Sequence, residues 1–189
     1  KQQANLEKKN VADIGCGGGI LSEALALNKA SVTGLDISSK LISVAQDHSK
    51  HIGSSIYYTD TTLEALAEER KASYDLVIAM ELVEHVKDIN HELALCTKLL
   101  KENGILIIST LNRNIISFAL GIVAAEYILK IVPQGTHQYE NFVKPAELAC
   151  YCRGNGLEMT DISGIAYNPF LRNAKLVKNT AINYIATFK

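Results

Sequence analysis

Three groups of residues in this chain have the freedom or the functional groups to do chemistry. The first is a turn written Asp13-Ile14-Gly15-Cys16-Gly17-Gly18-Gly19-Ile20. Glycine accepts positive φ and lets a ligand come close to the main chain, so such a turn can hold a bulky cofactor. The second is Gly34-Leu35-Asp36, where a carboxylate ends an apolar run and can accept both hydroxyls of a ribose. Together they point to a nucleoside-bearing cofactor, and so to an enzyme. The third is Met80-Glu81-Leu82-Val83-Glu84-His85-Val86. In a helical turn, Glu81, Glu84 and His85 share one face through their i, i+3 and i+4 spacing. This oxygen-dominated set suits Mg²⁺ better than Zn²⁺. The same residues equally suit a solvated acidic first turn that complements a helix dipole.

Two kinds of cofactor compete for the glycine turn. A dinucleotide site wants G-x-G-x-x-G, with pyrophosphate on the helix N-terminus. Gly15 and Gly17 fit that pattern, but the third position is Ile20. Asp13 is also a poor neighbour for a pyrophosphate. It suits a cationic cofactor without phosphate, and S-adenosylmethionine carries a sulfonium and an α-ammonium. The D-x-G-C-G-x-G arrangement is similar to that of class I methyltransferases. On this reading Gly15 and Gly17 are the close-approach positions and Asp36 is the ribose acceptor. Asp60 can meet the adenine amine, although a turn or helix-cap role before Thr61-Thr62 serves it as well. Met80 lies against the adenosine, a place compatible with ordinary core packing.

The elements that must position these groups can be read from the pattern. Apolar runs at 11–14, 31–35, 55–58, 75–79 and 105–109 read as strands. Helical patterns at 20–28, 39–48, 62–70 and 89–100 alternate with them. That alternation implies right-handed βαβ units and a parallel sheet. The rhythm breaks at 112–144, an insertion with its own apolar stretch, after which Pro145 opens another helix. Segments 157–165 and 183–188 suit a closing hairpin at one edge. With 189 residues, one domain spanning 1–189 is expected. A net charge of −1 argues against nucleic acid as a partner. The four cysteines form no C-x-x-C pair, and reduced thiols are the simpler reading.

Read with the later segments, the chain resembles the ubiquinone-biosynthesis O-methyltransferases. The carrying segments are 13–23, 32–36 and 80–86, then Ser109-Thr-Leu-Asn-Arg-Asn114, 125–129, 132–137, 144–148 and Tyr167-Asn-Pro169. The resemblance implies an α/β fold of the class I methyltransferase type. This is a Rossmann-like sheet, mostly parallel with an antiparallel edge hairpin, with helices on both faces. It implies S-adenosylmethionine at Gly15, Asp36 and Met80, and a Mg²⁺ site mapping onto Glu81, Glu84 and His85. It also implies a family N-terminal helical segment, with a further cofactor-contacting Arg, that would precede Lys1.

The expected chemistry is methylation of polyprenyl catechol or phenol headgroups, including demethylubiquinol. A phenol with pKa near 10 is a weak nucleophile at neutral pH. Mg²⁺ on its oxygens would lower that value, and a base must take the proton. His137, in Gly135-Thr136-His137, is the candidate base, with His85 the alternative if it is not a ligand. The stretch 115–132 is nearly apolar, with Glu126 and Lys130 spaced four apart. It suits a lid on an anionic membrane surface that meets a polyprenylated quinone precursor, or one that simply packs on the sheet. Other quinone-biosynthesis proteins are expected partners. The expected location is cytoplasmic and peripheral to a bacterial inner membrane, or the mitochondrial matrix face in a eukaryote. The rival readings are a methyltransferase for another small molecule, a non-catalytic subunit of a quinone-biosynthesis complex, and an NAD-linked oxidoreductase.

Overall fold

Short β-branched runs alternate with amphipathic ones through the first half of the chain, and the backbone follows that rhythm. The computed structural model describes residues 5–52, 56–114, 117, 141–168 and 173–189. Its first elements are β1 (Asn10–Ile14), α1 (Ile20–Leu27), β2 (Ser31–Leu35), α2 (Ser39–Ile52), β3 (Tyr57–Thr59) and α3 (Leu63–Glu69). There follow β4 (Tyr74–Met80), α4 (Ile89–Leu99), β5 (Leu100–Leu111), α5 (Pro145–Gly154), β6 (Met159–Asn168), β7 (Asn173–Val177) and β8 (Asn183–Phe188). The chain divides into two units, Lys1–Met80 with Ala94–Leu106, and Glu81–Leu93 with Ile107–Lys189.

In the first unit the strand order is β3-β2-β1-β4, with β5 beyond β4. β1 pairs in parallel with β2 and with β4, and β2 with β3. The register sets Ile14 level with Leu35 and with Ala79, and Leu35 level with Thr59. β1, β2 and β3 therefore end at one level, and β4 runs one residue further. Residues Gly15, Asp36, Asp60 and Met80 are each the next residue along. The chain leaves β1 toward β2 on one side, while β4 lies on the other, which is the switch point where open α/β sheets take ligands. Val11, Ala12 and Val77 are fully buried, as strands covered on both faces require.

In the second unit β8 lies between β5 and β6, with β7 outside β6. β6 is antiparallel to both β7 and β8. Along β8 the buried residues are Tyr184, Ala186 and Phe188, with partly exposed ones between them. This period of two places one face on the core. The expected α/β class and antiparallel edge are borne out. Two details differ from the sequence reading. β5 starts at Leu100 rather than at 105, and Asn103 takes φ 63 within it. β7 was not expected, because Asn173–Val177 is exposed almost throughout and so shows no apolar alternation.

Candidate functional site

The glycine turn is built by main-chain geometry that side chains resist. Gly15, Gly17 and Gly19 take φ 74, 54 and 84. A Cβ at Gly17 would meet nothing within 4 Å, so the turn opens a space beside its own backbone. The Gly17 N–H donates to Asp36 Oδ2 at 3.0 Å, and the Ser38 N–H donates to Asp36 Oδ1 at 2.9 Å. Asp36 thus fastens the turn to the end of β2 while also organising the entry to α2. The turn is further anchored by the Gly15 and Cys16 N–H groups, both donating to the Leu35 carbonyl. A cradle of bare backbone beside a half-buried carboxylate can take a ribose and the polar tail of a nucleoside.

Tyr58, not singled out from the sequence, shapes this cradle from below. It is buried, and its hydroxyl donates to the Gly19 carbonyl at 3.5 Å. Burial, and then the Glu23 charge, push that hydroxyl up to about 12. A Cβ on Gly34 would lie 2.6 Å from the Tyr58 ring, and one on Gly19 only 2.4 Å from its oxygen. A glycine inside a strand marks such close approaches, so Gly34 was the available signal. Gly19→Ala meets both a left-handed φ and this contact, whereas Gly17→Ala meets only the φ. Thermal melts should show a loss of about 2–4 kcal/mol for Gly19→Ala and about 1–2 kcal/mol for Gly17→Ala. Equal losses would remove Tyr58 as the reason.

Asp13 has a structural place. It is 2 % exposed, and its Oδ2 accepts the Ser22 hydroxyl at 2.6 Å, tying β1 to α1. Burial raises its pKa, against the pull of the Ser22 hydrogen bonds. Asp60 is exposed at the end of β3. The cap of α3 is Thr62, whose Oγ1 accepts the Ala65 N–H at 3.2 Å, so the cap role considered for Asp60 falls away. Met80 is half-buried at the end of β4. Gly15, Asp36, Asp60 and Met80 are thereby brought to one end of the first unit's strands.

The second unit holds the acidic group, and here the sequence reading needs correction. Segment 81–86 is a turn rather than a helix, and Glu81 begins it at φ 51. The i, i+4 argument therefore does not apply. Glu84 is 3 % exposed while His85 is exposed, so the two point apart. Thr110 Oγ1 donates to Glu84 Oε2 at 2.9 Å, and Ser109 Oγ donates to Glu81 Oε1 at 2.9 Å. Glu84 Oε1 is buried without a donor among the described residues, and the Glu81 carboxyl lies beside it. Burial, and then the Glu81 charge, push the Glu84 carboxyl up to about 8. Its neighbour Tyr184 is also raised, chiefly by burial, and donates to the Val143 carbonyl at 3.0 Å. Among the described residues no group of three His, Cys, Asp or Glu could hold a metal ion. Glu81, Glu84 and His85 do not assemble as a three-residue Mg²⁺ ligand set, because Glu84 is buried while His85 is turned to solvent. His137 and the stretch 115–132 lie outside the described residues, and no described helix is long and apolar enough to cross a membrane.

Comparison with known proteins agrees with this geometry. A family model described as a methyltransferase domain matches residues 2–162. The ubiquinone biosynthesis O-methyltransferase of Nitrosomonas europaea is 46 % identical over 184 residues, 97 % of this chain and 78 % of that protein. The protein of that name from Xanthomonas euvesicatoria is 46 % identical over 176 residues, 93 % of this chain and 74 % of that one. Magnesium protoporphyrin IX methyltransferase from Synechocystis, solved with bound S-adenosylhomocysteine, superposes with TM-score 0.71 at 22 % identity, covering 97 % of this chain and 75 % of that one. A methyltransferase from Methanosarcina mazei gives 0.69 at 18 % identity, covering 96 % and 92 %. The solved structures speak to the fold, and the sequence relatives to the family. A methyltransferase sheet, a glycine cradle closed by Asp36, and this degree of identity across nearly the whole chain place it in the ubiquinone biosynthesis O-methyltransferase family.

Proposed function

We propose that this chain is an S-adenosylmethionine-dependent O-methyltransferase acting on a polyprenylated catechol or phenol precursor of ubiquinone. The observation that carries the reading is the cradle at Gly17, open to a ligand and fastened to Asp36. Its residues fit the cofactor: Gly15 and Gly17 offer bare backbone, Asp36 a ribose acceptor, Asp60 an acceptor for the adenine amine, and Met80 an apolar contact. When bound, S-adenosylmethionine supplies an electrophilic methyl group on a positively charged sulfur. The protein's part is to hold a ring oxygen in line with that methyl group, which can supply roughly 7–11 kcal/mol of the barrier. No step is routed through Mg²⁺, since among the described residues no three candidate ligands come together.

The polyprenyl tail and the membrane belong to the finer part of this proposal. The apolar stretch 115–132 would rest on an anionic membrane surface, which its composition supports. Such a chain would work peripheral to the membrane, beside other proteins of quinone synthesis. The test is transfer of labelled methyl from S-adenosylmethionine to demethylubiquinol, with and without anionic vesicles. Labelled product, rising when vesicles are present, is expected. Heat of binding for S-adenosylhomocysteine without any transfer would turn the chain into a non-catalytic subunit. Absence of that heat would remove the cofactor reading itself.

A further inference from the structure

In the second unit, β6 and β7 run on past the strand beside them. On one side β6 is paired with β8 as far as Ser163 opposite Ile185, and the Ile165 N–H then donates to the Asn183 side chain at 2.9 Å. Beyond that point, among the described residues, only β7 pairs with it, with Ile165 opposite Leu176, Ala166 opposite Lys175 and Tyr167 opposite Ala174. Opposed residues of an antiparallel pair share a face, so Ile165, Tyr167, Ala174 and Leu176 lie on one side of this ribbon. Gly164, Ala166, Lys175 and Val177 lie on the other. The Asn179 carbonyl crowds Gly164 on that second side, where a Cβ would stand 1.8 Å from it. The first side stays open, with Tyr167 62 % exposed and Leu176 51 %. A two-stranded ribbon is marginal in water by itself, so an apolar side left uncovered on one marks a contact surface.

We propose that this ribbon face rests on an anionic lipid bilayer, with Tyr167 and Leu176 entering the headgroup boundary and Lys175 and Lys178 drawn to its charge. The inference rests on the membrane part of the reading above and gives it a second contact, separate from the stretch 115–132. Four observations favour lipid over a protein partner. From Ile162 to Lys189 the sequence has no Asp or Glu but has Arg172, Lys175, Lys178 and Lys189, in a chain whose net charge is −1. Positive charge segregated in this way complements an anionic surface, and each basic residue near it strengthens binding by about five-fold. Tyrosine beside an aliphatic side chain suits the boundary between water and hydrocarbon, where one end of the ring is wet and the other dry. Strand addition by a second copy is opposed by Lys175, since charged side chains on an edge strand blunt such pairing. The loop at the ribbon's root is also tied to the residues that lead into 115–132. The Asn112 side chain donates to the Thr180 carbonyl at 2.9 Å, and that of Asn114 to the Ala181 carbonyl at 2.7 Å. Lys175 leaves the far side of the ribbon, yet a ribbon one layer thick keeps it within a Debye length, about 8–10 Å, of the surface.

The chain has no tryptophan, so Tyr167→Trp places a single fluorescent reporter on this face. The full chain carrying it is mixed with vesicles of phosphatidylglycerol and phosphatidylcholine, and with vesicles of phosphatidylcholine alone. A blue shift of its emission, and quenching by brominated acyl chains, are expected with the anionic vesicles only. Lys175→Gln combined with Lys178→Gln should weaken sedimentation with the anionic vesicles by roughly 10- to 30-fold. Thermal melts of both variants should match the wild type; if Tyr167→Trp does not fold, the lysine variant decides. Emission that stays unmoved while the chain sediments with anionic vesicles overturns this face and leaves the membrane reading standing. Sedimentation of the lysine variant equal to wild type, or equal shifts with both kinds of vesicle, also overturns the proposal. A wild-type chain that does not sediment at all removes both the face and the membrane reading. Emission already blue without vesicles, and bluer as the chain is concentrated, gives the face to a second copy instead. None of these measurements depends on methyl transfer, so the enzymatic reading stands or falls apart from them.

Discussion

Asp36→Ala is expected to raise the KM for S-adenosylmethionine by roughly 10- to 100-fold. Hydrogen bonds to a charged group are worth about 1.5–3 kcal/mol, and each 1.4 kcal/mol is tenfold in affinity. Two losses act together. The ribose would lose its acceptor, and the Gly17 and Ser38 N–H groups lose the partners that hold the turn at 3.0 and 2.9 Å. Asp36→Asn keeps one side-chain oxygen and should fall between the wild type and alanine. Calorimetry with S-adenosylhomocysteine gives the same ordering without turnover. A KM within two-fold of wild type in Asp36→Ala would place the ribose elsewhere.

The buried acid makes the second large prediction, this time on stability. Glu84 holds its proton up to about pH 8 when folded, whereas an unfolded glutamate releases it near pH 4.3. Its contribution is therefore full below the unfolded value and is lost as pH rises through about 8. A shift is worth roughly 1.4 kcal/mol per pH unit, and a chain of this size loses about 2–4 °C of Tm per kcal/mol. Between pH 5 and 8.5 this removes about 4 kcal/mol, so wild-type Tm should fall by roughly 8–16 °C. Glu84→Gln keeps the shape and an acceptor for Thr110 but cannot ionise, so its Tm should be nearly flat across that window. Asp13 is raised too, but it is present in both proteins and cancels in the comparison. Parallel curves for wild type and variant would mean that Glu84 is ionised in the folded protein at neutral pH.

The two halves of the candidate site were legible to different degrees. The shared placement of Gly15, Asp36, Asp60 and Met80 was legible because the first three follow, and Met80 ends, a strand whose end shows as the end of an apolar run. In a parallel sheet with this register, strand ends are functional positions, so a one-dimensional pattern suffices. Glu81, Glu84 and His85 misled because their spacing carries meaning only on a helix, and the backbone there enters a turn at φ 51. Thr110, Ser109 and Tyr184 surround that pair from strands far away along the chain. No local spacing reveals such partners.

By itself, the order of residues determined the class of fold and the cofactor cradle. Alternating strand and helix periods leave few ways to bury the apolar faces, and only glycine takes the backbone angles of that turn. Tertiary structure alone decided what the second acidic group is. Burial of Glu84 beside Glu81, with Thr110 as donor and His85 turned to solvent, separates an apparent ligand set and raises the Glu84 carboxyl. The reason is electrostatic: removing a carboxylate from water next to a like charge costs more than keeping its proton, and that cost depends on neighbours only folding supplies.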